Sequence, residues 1–165
     1  MDDMIVVGEP LPRIADVQAG KGKILRIKFK REGWRTVDLE GTISRTRAFA
    51  PLRDPAAFKQ VQVIDWGAAI GWPGDLDLGA LTLLTLAEEQ KPFKTRDFVR
   101  WQEKAGLSNA EAADALGLSL ATIKNYRSGS NIPTAVAIAC RAMAAEPMTL
   151  AAHFRPRKTG RPKAA

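Results

Sequence analysis

Cysteine is almost absent from this 165-residue chain. Cys140 stands alone, so no intrachain disulfide can form. Histidine is as scarce, with His153 the single example. One Cys and one His on separate predicted helices make neither a catalytic pair nor a zinc set. No glycine-rich loop of nucleotide-binding length occurs, and Gly20-Lys21-Gly22-Lys23 fits a hairpin connection better. Asp75 and Asp77 have no third ligand near them and fit helix caps or dipole partners. No apolar run reaches bilayer length, and Met1-Asp2-Asp3 is acidic, unlike a secretion signal. These absences predict a cytoplasmic chain that is not an enzyme and holds no cofactor or metal.

What is present is a basic, amply apolar chain. Hydrophobic residues make up 45%, enough for packed cores and unlike a disordered polymer. The net charge of +7 is unevenly spread. Residues 1–93 balance 13 basic against 13 acidic side chains, whereas residues 155–165 carry five basic and no acidic ones. Cationic charge thus concentrates at the C-terminal end, where it can attract a phosphate backbone. The tail cations are Arg155, Arg157, Lys158, Arg161 and Lys163.

The first half reads as antiparallel strands. Ile14 to Gln18 alternates, and Lys23 to Lys30 resumes the alternation after the Gly20–Gly22 break. Leu25, Ile27 and Phe29 fall on one face, and Ile24, Arg26 and Lys28 on the other. Trp34 to Leu39 gives a third strand. Asp54 and Pro55 read as N-cap and first residue of a short helix. Val61 to Asp65 and Ala68 to Trp72 suggest a hairpin around Gly67, and Leu78 to Gln90 a helix capped by Asp75 or Asp77. Lys91-Pro92 marks a boundary. The four tryptophans, Trp34, Trp66, Trp72 and Trp101, read as core, with a stacking surface left open if Trp34 and Trp72 are exposed.

The second half reads as helices. Thr95 is placed as the cap of a helix carrying Phe98, Val99, Trp101 and Ala105, closed by Gly106. Ser108 and Glu111 form a capping box. Gly117 is free to take positive φ at that helix's C-terminus, and Ser119 reads as the next N-cap. Leu118, Ile123 and Tyr126 point back to the first helix. Ala121, Thr122, Lys124, Asn125 and Ser128 are left facing outward. Thr134 to Glu146 is an alanine-rich helix stopped by Pro147, and a short helix runs from about Met148 to His153.

The spacing of Ala113, Gly117, Ile123 and Tyr126 resembles the lambda-repressor/Cro-like (XRE-type) helix-turn-helix family over about residues 95–152. Asn109 stands where that family often has Gln, and Arg127 where it often has an acid. Leu120 and Ala121 occupy positions that often carry polar base readers. The pieces Ala50-Pro51-Leu52-Arg53-Asp54-Pro55 and Trp72-Pro73…Asp77-Leu78 resemble a small bacterial α+β domain family of unknown function, over about residues 10–90.

Together these imply an α+β chain in three parts. Residues 1–92 form a small antiparallel-sheet domain for sensing, dimerisation or partner binding. Residues 93–154 form a five-helix DNA-binding domain, and residues 155–165 a disordered basic tail. The helix-turn-helix resemblance implies a repressor-like transcriptional regulator that docks a recognition helix in the major groove of double-stranded DNA. It implies phosphate contacts by Asn109 and Ser119. Ala121, Thr122, Lys124, Asn125 and Ser128 would face base edges or backbone, with Asn125 the best direct reader. Lys124 and Arg127 would set position on phosphates. A homodimer and a protein partner for the first domain remain open. The alternative is an antitoxin-like protein whose first domain grips a toxin.

Overall fold

The computed structural model describes residues 10–157. The chain divides into two compact units at the Lys91–Pro92 boundary. The first is α+β and the second contains only helices.

In the first unit, β1 (Ile14–Ala19), β2 (Ile24–Phe29) and β3 (Gly33–Asp38) form an antiparallel meander. The alternation of β2 is resolved as the sequence predicts. Leu25, Ile27 and Phe29 are buried, and Arg26 and Lys28 are exposed. Helix α1 (Glu40–Arg45) and a 3-10 turn over Arg47–Arg53 follow, neither signalled by a strong local pattern. Helix α2 (Pro55–Phe58) starts at Asp54, whose side chain accepts from the Ala56 N–H. Strands β4 (Gln62–Ile64), β5 (Ala69–Trp72) and β6 (Leu76–Gly79) form a second antiparallel sheet. Helix α3 (Ala80–Glu89) completes the unit.

Strand β6 corrects the expectation of a helix from Leu78. Trp72 pairs with Leu76 across Pro73-Gly74-Asp75, so Asp75 is spent on a hairpin turn at φ 57°. Asp77 lies opposite Gly71 in the ladder. Neither acid caps α3, which begins after Gly79 without a side-chain cap. The core joins Leu25, Ile27, Val37 and Leu39 to Ile43, Leu52, Phe58, Ile70, Trp72 and Leu83. Trp72 donates its Nε1–H to the Phe58 carbonyl at 2.8 Å, which satisfies the one polar atom of that ring. Gln90 pairs its amide with both backbone groups of Asp38, at 2.7 and 2.8 Å, and so fastens the end of α3 to β3.

Two tryptophans depart from the core expectation. Trp34 is 39% exposed on the outer face of the first sheet, and Trp66 is 94% exposed. Trp66 sits in a 3-10 turn where Asp65 and Trp66 both adopt positive φ, 50° and 51°. Such backbone costs on the order of 1 kcal/mol per residue. Gly67 makes the turn possible, because a Cβ there would lie 2.3 Å from the Ile14 carbonyl oxygen.

The second unit holds α4 (Thr95–Lys104), α5 (Asn109–Leu116), α6 (Leu120–Arg127), α7 (Thr134–Ala145) and α8 (Pro147–His153). Lys94, not Thr95, occupies the N-cap of α4. Thr95 is the first helical residue, and Asp97 accepts from the Lys94 N–H at 2.9 Å. Glu146 caps α8 by accepting from the Met148 N–H. Phe98 anchors the core, with its ring 5.5 Å from both Trp101 and Tyr126. Ala112, Ala113, Ile123, Cys140 and Met143 close around it. Burial raises the Cys140 thiol to about 12, against a smaller lowering by Arg141. Among the described residues no single helix is long and apolar enough to cross a membrane.

Candidate nucleic-acid interface

Helix α5 begins with reciprocal capping. Ser108 Oγ accepts from the Glu111 N–H at 3.1 Å, and Glu111 Oε2 reaches back to the Ser108 N–H at 3.4 Å. Both residues are buried. Gly117 ends the helix in the left-handed region at φ 66°, and its backbone closes onto Ala113 and Asp114. The chain then turns and starts α6 at Ser119, whose Oγ accepts from the Thr122 N–H at 3.1 Å. Ser119 Oγ also meets Thr122 Oγ1 at 2.8 Å. A short helix, a glycine turn and a second capped helix therefore follow one another as their local signals direct.

Helix α6 is two-sided. Ile123 and Tyr126 are buried against the unit's core. Leu120, Ala121, Lys124, Asn125 and Ser128 are exposed, while Thr122 and Arg127 are half-buried. Leu120 is 44% exposed, a large apolar side chain at the entry of this face. Ser128 returns its hydroxyl to the Lys124 carbonyl at 2.9 Å, so it helps close the helix. No partner holds the side chains of Lys124 or Asn125 among the described residues. The outward side of α6 thus offers one ammonium, one amide and one methyl-sized surface within two turns.

Arg127 is placed differently from its neighbours. Its Nη1 donates to Gln102 Oε1 at 2.9 Å. Gln102 is 3% exposed on α4 and uses its other end as well. Its Nε2 donates to the Leu107 carbonyl at 3.1 Å and to Asn109 Oδ1 at 2.8 Å. Arg127 and Asn109, both expected at phosphates, are therefore joined through one buried amide. Among the described residues nothing else takes the Asn109 NH₂ or the remaining Arg127 N–H groups. Gln102 was not among the predicted site residues. Its signal was positional: four residues after Phe98, it lies on the buried stripe of α4, where a polar group needs partners.

The basic C-terminal segment begins attached. Arg157 makes two hydrogen bonds of 2.8 Å to the carboxylate of Asp114 on α5, and its N–H donates to Glu111 Oε1 at 3.2 Å. The Arg157 contact holds the Asp114 carboxyl below its ordinary pKa and raises the guanidinium in turn. The expectation of a disordered tail from residue 155 thus does not extend to Arg157. Arg155 is exposed and donates to the Phe154 carbonyl. Lys158, Arg161 and Lys163 lie outside the described residues.

Among the described residues no three His, Cys, Asp or Glu side chains come together to hold a metal. Two grooves of about 240 and 230 Å³ lie beside α8, lined mainly by Ala105, Leu107, Met143, Pro147, Leu150 and Phe154.

No family model matches the chain, and no curated protein matches it. One solved structure is similar, a Nitrosomonas europaea protein described as a candidate DNA-binding protein. It is 25% identical, the match covers 93% of this chain and 95% of that one, and the TM-score is 0.46.

Proposed function

We propose that the chain is a sequence-specific DNA-binding protein, a repressor-like transcriptional regulator that places α6 in the major groove. One observation carries this reading: the capped pair α5 and α6, joined at Gly117, leaves Lys124 and Asn125 exposed and without a partner among the described residues, on a helix whose other side is locked into the core. The arrangement resembles the lambda-repressor/Cro-like helix-turn-helix. A major groove admits one α-helix, and an asparagine amide pairs bidentately with adenine. Lys124 serves the phosphate backbone or a guanine edge. Ala121 offers a methyl surface suited to thymine. Ser119, at the positive end of α6, faces backbone phosphate. In this reading the chain is cytoplasmic, binds without cofactor and catalyses nothing. A second copy would pair it with two half-sites about one helical turn apart. Genome-wide immunoprecipitation of the tagged chain tests the proposal. Enrichment at a shared motif upstream of genes supports it, and an even spread over the genome defeats it.

A second reading gives the first unit a protein partner, as in an antitoxin-like regulator. It is favoured by Trp66, 94% exposed on a turn with two consecutive non-glycine residues at positive φ. Tryptophans dominate the energetics of protein interfaces. Co-purification of a partner by the wild type and its loss with Trp66→Ala tests this reading.

A further inference from the structure

The outer face of the first sheet carries a row of cations, none of them in an ion pair among the described residues. Arg26 and Lys28 stand on β2, and Lys30 continues the same alternation into the turn. Successive members of this ladder lie about 7 Å apart, comparable with successive phosphates of an extended strand. All three are exposed, and none pairs with a carboxylate among the described residues. Lys28 lies directly opposite Trp34 on β3, and Arg26 opposite Thr36. The Arg26 guanidinium sits 5.0 Å from the centroid of the Trp34 ring. On the other side, Gln18 and Asp16 of β1 lie opposite Arg26 and Lys28. The Asp16 oxygens are engaged by the Val17 N–H and the Gln18 amide.

We propose that this face, through Trp34, Arg26, Lys28 and Lys30, binds single-stranded nucleic acid. The sheet's opposite face is filled by Leu25, Ile27, Phe29 and Val37, so nothing in the core requires an exposed indole here. An aromatic ring flanked by a cationic ladder matches a polymer that alternates π-faces with phosphates. The ring takes a base by stacking, Arg26 adds a cation–π contribution, and Lys28 and Lys30 follow the backbone. A lipid surface would call for further apolar side chains beside the tryptophan. Its neighbours are instead Lys28, Arg26 and Thr36. The face belongs to the first unit, and its reading does not depend on the one given for α6.

The test uses the full chain and a labelled oligothymidylate of about 12 nucleotides, followed by fluorescence anisotropy. Trp34→Ala is expected to weaken binding about tenfold or more, and Trp34→Phe to retain most of it. Replacing Arg26, Lys28 and Lys30 together by Gln is expected to flatten the salt dependence by about 0.7 per cation. Arg26, Lys28 and Lys30 are exposed and Trp34 is outside the core, so each variant is expected to stay folded at the assay temperature, which its thermal unfolding curve checks. Equal binding by the wild type, Trp34→Ala and the triple variant overturns the proposal. So does equal loss, in the triple variant, of binding to a duplex, to polyglutamate or to phosphatidylserine vesicles, because each would make the face a general anion surface.

Discussion

Arg127 and Gln102 are joined by a hydrogen bond of 2.9 Å that ties the last residue of α6 to the buried side of α4. The same Gln102 amide holds Asn109 at the start of α5. One side chain therefore fixes three helices, two of which form the candidate DNA-docking pair. Hydrogen bonds to a charged group contribute about 1.5–3 kcal/mol, and a buried polar atom left unpaired costs about as much again.

Gln102→Leu accordingly lowers the stability of the helical unit by roughly 2 kcal/mol, since it leaves the Leu107 carbonyl and Asn109 without their donor. Gln102→Glu keeps the acceptor for Arg127 and loses the two donations, so it also destabilises. Denaturant unfolding of each variant, followed by helical circular dichroism, checks the prediction. Unchanged midpoints would show that the bridge contributes nothing.

The second prediction concerns acid. The Asp114 carboxyl is held below its usual value by the Arg157 hydrogen bonds. A carboxylate whose folded pKa is depressed contributes above the ordinary range, near pH 4, and loses the contribution as pH falls through the lowered value. The Arg157 attachment therefore persists at neutral pH and releases only in strong acid. Asp114→Asn removes the ion pair at all pH values and leaves the Glu111 contact, so the attachment weakens and limited trypsin digestion after Arg157 becomes faster. Equal cleavage rates in wild type and variant would contradict the attachment.

Arg157 is occupied by Asp114, and three further cations, Lys158, Arg161 and Lys163, follow it in the sequence. Truncation after Arg157 is expected to reduce the slope of log affinity against log salt on duplex DNA by up to about 3, at about 0.9 per phosphate contact. An unaltered slope would remove these residues from the interface.

Cys140 gives a probe of opening. Burial holds its thiol at about 12, so the native chain carries almost no thiolate at pH 8. Alkylation is expected to be negligible in the folded state and to track unfolding of the second unit. Rapid native modification would show that α7 is not packed as described.

The helical half was legible because its signals are local. Ser108 and Glu111 stand three residues apart, Gly117 follows the helix, and Ser119 opens the next one. The same holds for the alternation of β2. Strand β6 escaped because four residues, Leu76–Gly79, carry too little pattern to outweigh the helical run beside them. Its identity depends on pairing with β5, a tertiary event. Trp66 escaped because its exposure depends on a turn that Gly67 holds against Ile14, fifty-three residues earlier in the chain. Arg157 and Arg127 each found partners far away in sequence, at Asp114 and Gln102. Residue type told their charge but not where that charge is spent. The outward face of α6 was largely legible in its exposure and is poor in polar groups, with Leu120 and Ala121 at its start.

The most direct measurement of the central claim is selection of duplexes from a random pool by the full chain, followed by titration of the selected sequence with wild type and with Lys124→Ala/Asn125→Ala. The account predicts an enriched motif and a loss of at least tenfold in specific affinity for the double variant, since one bidentate base contact is worth about 1–3 kcal/mol. It also predicts an unchanged unfolding midpoint, because both side chains are exposed. A pool that yields no motif, or a double variant that binds the selected duplex as tightly as wild type, would contradict it.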